Sequence, residues 1–600
     1  MRTILSILTS EERRSLLWLL PLICVRGFAD MLGVALVFPF LTMISDPGII
    51  QRDEYLSWIY DAGGFSTTDG FVVFVGGAFV LMVLFTAALK IVTVYCVNVW
   101  LEHRVHSLSH RLLATYLRQP YSFILTRNSN ELVANMLSEV SRIVVDVFKP
   151  LTDVILAIVT LMFIIGLLIV VDPLVTFLAI GILGGLYAIL FAVVRVLASR
   201  LGERLVAANR MRFRIAGEAL AGGKQVRLLN RERALLDSYG APSLMHAHAN
   251  AKARLLRQTP RYVIEAIAIG GTVVLMLSLL SQNGGIGSES TASTLPLLGV
   301  FLLAGYRMMP ALQNGYQSIV SLRVGSKALD VLRADLAHAD MLPNLPQSTV
   351  KPKRLQKGIE LRNVSFAYPG SEVASLRNIN MTIPCGASIG IVGQTGAGKT
   401  TIMDLLLGLL LPSDGQFLVD GKELDDNEIR AWRANIGYVP QDLFLSDATL
   451  AQNIAFGIPN EQIDPTRLSE AAQAAQIEEF VLNELPDGFD TIVGERGVRL
   501  SGGQRQRISI ARALYTRPGV IAFDEATSAL DNETEARVMD QITSIAGTRT
   551  LIMVAHRLTT VRNCDTIVVM SNGEIEKITT YDQLTQLHAF DCASAVESGS

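Results

Sequence analysis

Six apolar segments of roughly membrane-spanning length occupy the N-terminal part of this chain, near 17–44, 71–98, 150–171, 174–195, 261–281 and 294–318. About 20 residues cross a bilayer as a helix, and hydrocarbon offers no partner for backbone N–H and C=O groups, so such runs must satisfy them internally. The segments therefore predict an all-α, six-helix transmembrane domain over 1–330. Half of the 600 residues are apolar, which fits a membrane protein of several domains. The net charge of −3 gives no reason to expect nucleic acid as a partner.

Basic residues crowd into particular connections. Arg104, Arg111, Arg118 and Arg127 lie between the second and third segments, and a long series from Arg195 to Arg257 lies between the fourth and fifth. The other connections hold only Arg52. The positive-inside rule then places both termini and the two long loops in the cytoplasm, with 45–70, Asp172-Pro173 and 282–293 outside. The long loops keep helical patterning until Gly222-Gly223, so the helices are expected to extend well beyond the bilayer. Short turning helices are expected near Pro120 to Asn130 and near Lys224 to Tyr239. The first apolar stretch is too long for a signal-peptide core and contains Arg26 and Asp30, so it reads as a retained span. Cys24, Cys96, Cys385, Cys564 and Cys592 are scattered without metal or disulfide spacing.

Residues 331–358 turn polar, with Pro343, Pro346 and Pro352, and read as a linker. From Ile359 strand and helix patterns alternate, which predicts an α/β P-loop nucleotide-binding domain over 359–590 and a tail at 591–600. Within it, Gly393-Gln394-Thr395-Gly396-Ala397-Gly398-Lys399-Thr400 is a phosphate loop. Gly393, Gly396 and Gly398 let backbone amides approach phosphate oxygens, and the following helix N-terminus favours negative charge. Lys399 is expected on the β- and γ-phosphates, Thr400 on Mg²⁺, and Thr401 on phosphate. The apolar strand Gly519 to Phe523 delivers Asp524 toward the metal and Glu525 toward the attacking water, whose proton it would accept.

About a hundred residues after the phosphate loop comes Leu500-Ser501-Gly502-Gly503-Gln504, just before that strand. Phosphate loop, this run and Asp524-Glu525, in this order behind an apolar half, resemble ATP-binding cassette (ABC) exporters over essentially the whole chain. The resemblance implies ATP and Mg²⁺ as cofactors. It also implies that Tyr368 stacks on adenine, that Gln441 contacts Mg²⁺ and senses the membrane domain, and that His556 contacts the γ-phosphate. Thr491 to Gly497 is similar to the exporter-specific loop before the signature, and Ser528-Ala529-Leu530-Asp531 to the loop that crosses the dimer seam. In this family Ser501, Gly502, Gly503 and Gln504 cap ATP held by the other subunit. One copy per chain implies two chains per machine, and the intact catalytic elements favour a homodimer over a heterodimer with one dead site.

The membrane half carries charges inside its apolar segments: Arg26 and Asp30 in the first, Lys90 in the second, Arg261 and Glu265 in the fifth, Arg307 in the sixth. Each costs about 3 kcal/mol at the centre of a span, so such residues tend to face a protein interior or watery cavity. Arg26 and Asp30, four residues apart, are expected to pair with each other. Lys90, Arg261 and Arg307 have fewer obvious partners, although Glu265 lies one turn from Arg261, and Lys90, Arg261, Arg307 and Arg26 form a candidate anion site. Phe38 to Thr42 with Ser45-Asp46-Pro47, Thr259 to Tyr262, and Tyr306 to Pro310 resemble bacterial lipid-linked oligosaccharide flippases, in which basic cavity residues hold a pyrophosphate. The lysine in the second span departs from the arginine of that pattern. An outer helix over Arg52 to Asp61 would put Tyr55, Leu56, Ile59 and Tyr60 on one interfacial face. This resemblance implies ATP-driven transfer of a polyprenyl-pyrophosphate-linked oligosaccharide from the inner to the outer leaflet of a bacterial cytoplasmic membrane. A multidrug or lipid A-like exporter is the alternative, and a peptide exporter is less favoured because no peptidase-like domain precedes the first span.

Overall fold

The computed structural model describes residues 7–45, 47–282, 289–337, 342–343, 350–441, 443–494, 497, 500–525, 537–538, 540, 549–555 and 558–586. His556, Asp46, Ser528 to Asp531, Glu495, Arg496 and the tail 591–600 lie outside these residues, as do the side chains of Arg195 and Arg261. The chain divides into two compact units, Met1–Arg118 with Arg127–Leu342, and Gln119–Thr126 with Pro343–Ser600.

The first unit is all helix. A capping box opens α1 (Ser10–Ala35), where the Thr9 hydroxyl accepts from Glu12 N and the Glu12 carboxylate accepts from Thr9 N. After a break at Leu36 comes α2 (Val37–Ser45). Two short helices follow, α3 (Ile49–Arg52) and α4 (Glu54–Ala62), the latter capped by Asp53. They correct the expected interfacial face. Leu56 and Tyr60 turn inward against Met43, Ile50, Phe71 and Val75, while Tyr55 and Ile59 are exposed together with Trp58. The inward pair is held because Phe65 and Phe71 offer Tyr60 ring partners at 6.1 and 5.4 Å.

The long helices α5 (Thr68–Arg118), α9 (Pro173–Ala221), α11 (Glu232–Gln282) and α12 (Glu289–Leu336) far exceed a bilayer's thickness. The short helices α6 (Tyr121–Thr126) and α10 (Gly223–Leu228) make the turns between them. Helix α7 (Ser129–Ala134) continues through π-helical stretches at Asn135–Glu139 and Val144–Phe148 into α8 (Lys149–Val171). Helix α8 packs against α12 and α1, and α9 packs against α11. Among the described residues, the helical runs Ser10–Ile44, Thr68–Arg118 and Ser129–Val171 are long and apolar enough to cross a membrane. The segments at 174–195, 261–281 and 294–318 fall in helices whose side chains are only partly described.

The second unit is α/β. An antiparallel sheet with order β2-β1-β4-β5 is built from β1 (Gly358–Phe366), β2 (Leu376–Pro384), β4 (Asp414–Val419) and β5 (Lys422–Glu423). The larger sheet has the order β10-β9-β3-β8-β7-β6. Its parallel strands are β3 (Ser388–Gly393), β6 (Ile436–Val439), β7 (Val520–Asp524), β8 (Thr550–Val554) and β9 (Thr566–Ser571), with β10 (Glu574–Thr579) antiparallel at one edge. Every residue of β7 and β8 is buried, as expected for strands covered on both faces. Ligands of such sheets sit beyond the carboxyl ends of the strands, where β3 and β7 both terminate in sequence motifs. Although it lies between α5 and α7 in sequence, Gln119–Thr126 belongs to this unit, and its Tyr121 packs against the apolar cluster around Val554, Ile402 and Met403.

Candidate nucleotide and anion sites

The phosphate loop leaves β3 and enters α13 (Lys399–Leu406). A Cβ at Gly393 would lie 2.3 Å from the Met570 carbonyl oxygen, and Gly398 has φ +96° with a Cβ position 2.8 Å from the Leu376 side chain. No other residue type fits either position without displacing its neighbours. Lys399 is buried, and its Nζ donates to the carbonyls of Gly393 (2.9 Å) and Gln394 (3.1 Å). A cavity of about 630 Å³ opens here, lined by Gly396, Lys399, Thr400, Thr401, Gln441 and Glu525 among others. Tyr368 does not line it, but its hydroxyl lies 3.2 Å from Thr401 Oγ1.

Strand β7 ends at Asp524, and Glu525 follows with φ +52°, an unfavourable backbone for a residue with a Cβ, held by its N–H donating to the Val554 carbonyl at 3.0 Å. Gln441 Nε2 donates to Glu525 Oε2 at 2.8 Å, which fixes the carboxylate at the cavity. Asp524 is buried and accepts from the Tyr438 hydroxyl at 3.3 Å. Burial pushes its carboxyl up, with the Glu525 charge adding to the effect and Lys399 opposing it. Buried Asp404, on α13, is pushed up to about 6 by desolvation and by the charge of Asp524. The sequence reading missed Asp404 and Tyr438. The available signal was an acid at i+4 from Thr400 on an otherwise apolar helix, which shares the face of the loop's hydroxyl. The donor set of Thr400, Gln441 and Asp524 is all oxygen, and crowded carboxylates raised by burial are electrostatically suited to a hard cation such as Mg²⁺.

Ser501 to Gln504 form a capping box at the start of α18 (Gly502–Tyr515; α14 to α17 are Asp426–Arg433, Leu450–Ile454, Pro465–Ala474 and Glu478–Asn483). The Ser501 hydroxyl accepts from Gln504 N at 3.2 Å, and Gln504 Oε1 accepts from Ser501 N at 2.7 Å. This is why serine and glutamine stand three apart around two glycines. The segment does not line the phosphate-loop cavity of its own chain.

In the membrane unit the candidate anion residues are arranged differently from the sequence expectation. Asp30 does not pair with Arg26. Its Oδ1 accepts both Lys90 Nζ at 2.9 Å and Arg307 Nη1 at 3.0 Å, joining α1, α5 and α12. Lys90 and Arg307 are thus partnered rather than free, with one buried carboxylate shared between two cations. Among the described residues the buried Arg26 Nε has no hydrogen-bond partner.

Residues 376–528 match the ABC transporter family, and residues 55–281 match the ABC transporter transmembrane region. The chain is 30% identical over 491 residues, 81% of each protein, to an ATP-dependent lipid A-core flippase of Alkalilimnicola ehrlichii. The chain belongs to the ABC transporter family. This ABC transporter is also 28% identical over 557 residues to the lipid A-core flippase of Haemophilus influenzae, covering 91% of this chain and 90% of that one. Its fold matches a bacterial Atm1-family ABC exporter solved with ATP bound, with a TM-score of 0.78 at 22% identity over 98% of both chains. It is a half-transporter of exporter type, a multi-pass membrane protein with a helical transmembrane domain followed by an α/β nucleotide-binding domain, and its ATPase is coupled to transport.

Proposed function

We propose that this ABC transporter works as a homodimer that flips a polyprenyl-pyrophosphate-linked oligosaccharide to the outer leaflet of a bacterial cytoplasmic membrane. Six spans within 1–330 would form the membrane domain, with the 359–590 domain and both termini in the cytoplasm. The observation that carries the substrate reading is the convergence of Lys90 and Arg307, from separate helices, on one point inside the membrane unit. Two close cations, one of them able to form an arginine fork, suit a phosphorylated headgroup. Arg261 would extend the site.

In the ATPase, Lys399, the loop amides and Thr401 would hold the phosphates, and Tyr368 the adenine. Thr400, Gln441 and Asp524 would hold Mg²⁺, which when bound neutralises charge on the phosphate oxygens. Glu525, oriented by Gln441, would take the proton of the attacking water, with His556 on the γ-phosphate. Ser501 to Gln504 would cap the nucleotide of the second copy, in keeping with their position away from their own chain's cavity. A second reading, a lipid A-like substrate, is favoured by the names of the relatives, and its headgroup shares the phosphate chemistry.

The test is reconstitution in liposomes containing a polyprenyl-pyrophosphate glycan, with ATP-dependent headgroup exposure in the opposite leaflet as readout and Glu525→Gln as the inactive control. Movement by the wild type alone is expected. ATP hydrolysis without movement, together with movement of lipid A, would replace the glycan by the second reading.

A further inference from the structure

Asp30, Lys90 and Arg307 form a cluster of three charges inside the membrane unit. Asp30 sits on α1 with its side chain 4% exposed, whereas Lys90 is 35% exposed and Arg307 14%, so the cluster is closed behind the carboxylate and open beside the lysine. Both cations reach the same oxygen, so a single phosphate group entering from the Lys90 side could engage both. The three groups together carry a net charge of one positive unit, weak attraction for an anion while Asp30 stays in place. Displacing a buried carboxylate from its partners is ordinarily prohibitive, because it leaves an uncompensated charge. Here Arg26 lies four residues before Asp30 on the same helix, at the spacing that lets side chains meet; the charges of Asp30 and of Asp153 on α8 both act on it, yet its buried Nε has no hydrogen-bond partner among the described residues.

We infer that Asp30 is a resident counter-anion, which an incoming phosphate headgroup displaces from Lys90 and Arg307 and which then pairs with Arg26. The inference rests on the proposed anionic-headgroup reading and adds a residue that sets affinity by competing with the substrate. It also links substrate entry to α1, α5 and α12, because the exchange removes the ion pairs that tie these helices together and forms one within α1.

The experiment uses the full-length transporter in phosphatidylcholine nanodiscs and measures ATPase activity against the concentration of three lipids: polyprenyl pyrophosphate, lipid A and neutral polyprenol. Asp30→Asn removes the competitor, so the half-maximal concentration of the phosphate-bearing lipids should fall about tenfold, within the usual range of coupling between sites, with the polyprenol response unmoved. Arg26→Gln removes the second resting place and should raise the same concentration about tenfold, with wild-type thermal unfolding. An unchanged or raised value for Asp30→Asn would make the cluster a static latch and overturn the exchange. If Asp30→Asn does not fold, an unchanged value for Arg26→Gln overturns it equally. Both shifts seen with lipid A but no response to polyprenyl pyrophosphate would support the exchange and sink the polyprenyl reading. No response of any of the three proteins to either phosphate lipid would overturn both.

Discussion

Buried charge is treated in opposite ways in the two units. In the membrane unit acids meet cations across helices: Asp30 holds Lys90 and Arg307, Glu12 holds Arg104 at 2.7 Å, and Asp146 holds Arg257 at 3.1 Å. In the nucleotide unit Asp404 and Asp524 are both buried, the charge of Asp524 adds to the cost of ionising Asp404, and Asp524 is relieved by the Tyr438 hydroxyl and by Lys399. The first arrangement fixes which helices are neighbours, since a buried ion pair left with one member is strongly destabilising. The second keeps carboxylates poised for a ligand that brings positive charge, at the expense of stability in the free protein. In the membrane unit buried charges meet partners within the chain, the Asp30 cluster leaving one positive unit over, and in the nucleotide unit buried carboxylates are left to be matched by what binds.

The contrast can be tested from its largest effect downward. Glu525→Gln should lower ATP turnover at least about 100-fold, the usual worth of a positioned general base, while nucleotide binding measured by equilibrium titration persists. Arg104→Met should destabilise the membrane unit by about 3–5 kcal/mol, because Glu12 stays buried, and the double variant with Glu12→Gln should recover most of that loss in thermal unfolding. If Arg104→Met alone is silent, the matched-charge account of the membrane unit fails. Tyr368→Ala should weaken ATP binding by about 1–3 kcal/mol, with Tyr368→Phe close to wild type, since a stacking ring and not the hydroxyl would carry the affinity. The smallest effect concerns Asp404. A carboxyl raised to about 6 in the fold binds more protons than in the unfolded chain between its ordinary range and pH 6, so nucleotide-free stability should fall as pH rises through that window. Asp404→Asn should flatten this slope and raise the unfolding temperature at pH 7. A steeper slope in the variant would show that Asp404 is paired after all.

Much of the nucleotide site was legible because it depends on local chemistry. Glycines at Gly393 and Gly398, the capping pair Ser501 and Gln504, and an acid pair at the end of an apolar strand each answer to backbone geometry within a few residues. The Gln441 to Glu525 hydrogen bond was only half legible, since each residue was recognised but their contact spans 84 positions. In the membrane unit the sequence identified Arg26, Asp30, Lys90 and Arg307, expected Asp30 to pair with Arg26, and assigned no partner to Lys90 or Arg307. The spacing of Arg26 and Asp30 allows a pair along one helix, but the ion-pair partners of Asp30 come from α5 and α12. The outer helix shows the same limit, with its apolar stripe divided between an inward half and an exposed half by the rings of Phe65 and Phe71.

The sequence by itself determined that the chain crosses a membrane, that an α/β nucleotide-binding domain follows, and where the phosphate loop, the acid pair and the signature run lie, because hydrophobic length and turn chemistry act over short stretches of chain. Only the tertiary structure decided that Asp30 belongs to Lys90 and Arg307, that Asp404 and Tyr438 stand beside Asp524, and that Tyr121 packs in the nucleotide unit. Those outcomes depend on which helices and strands become neighbours, and burial there favours the nearest partner in space, whatever its distance along the chain.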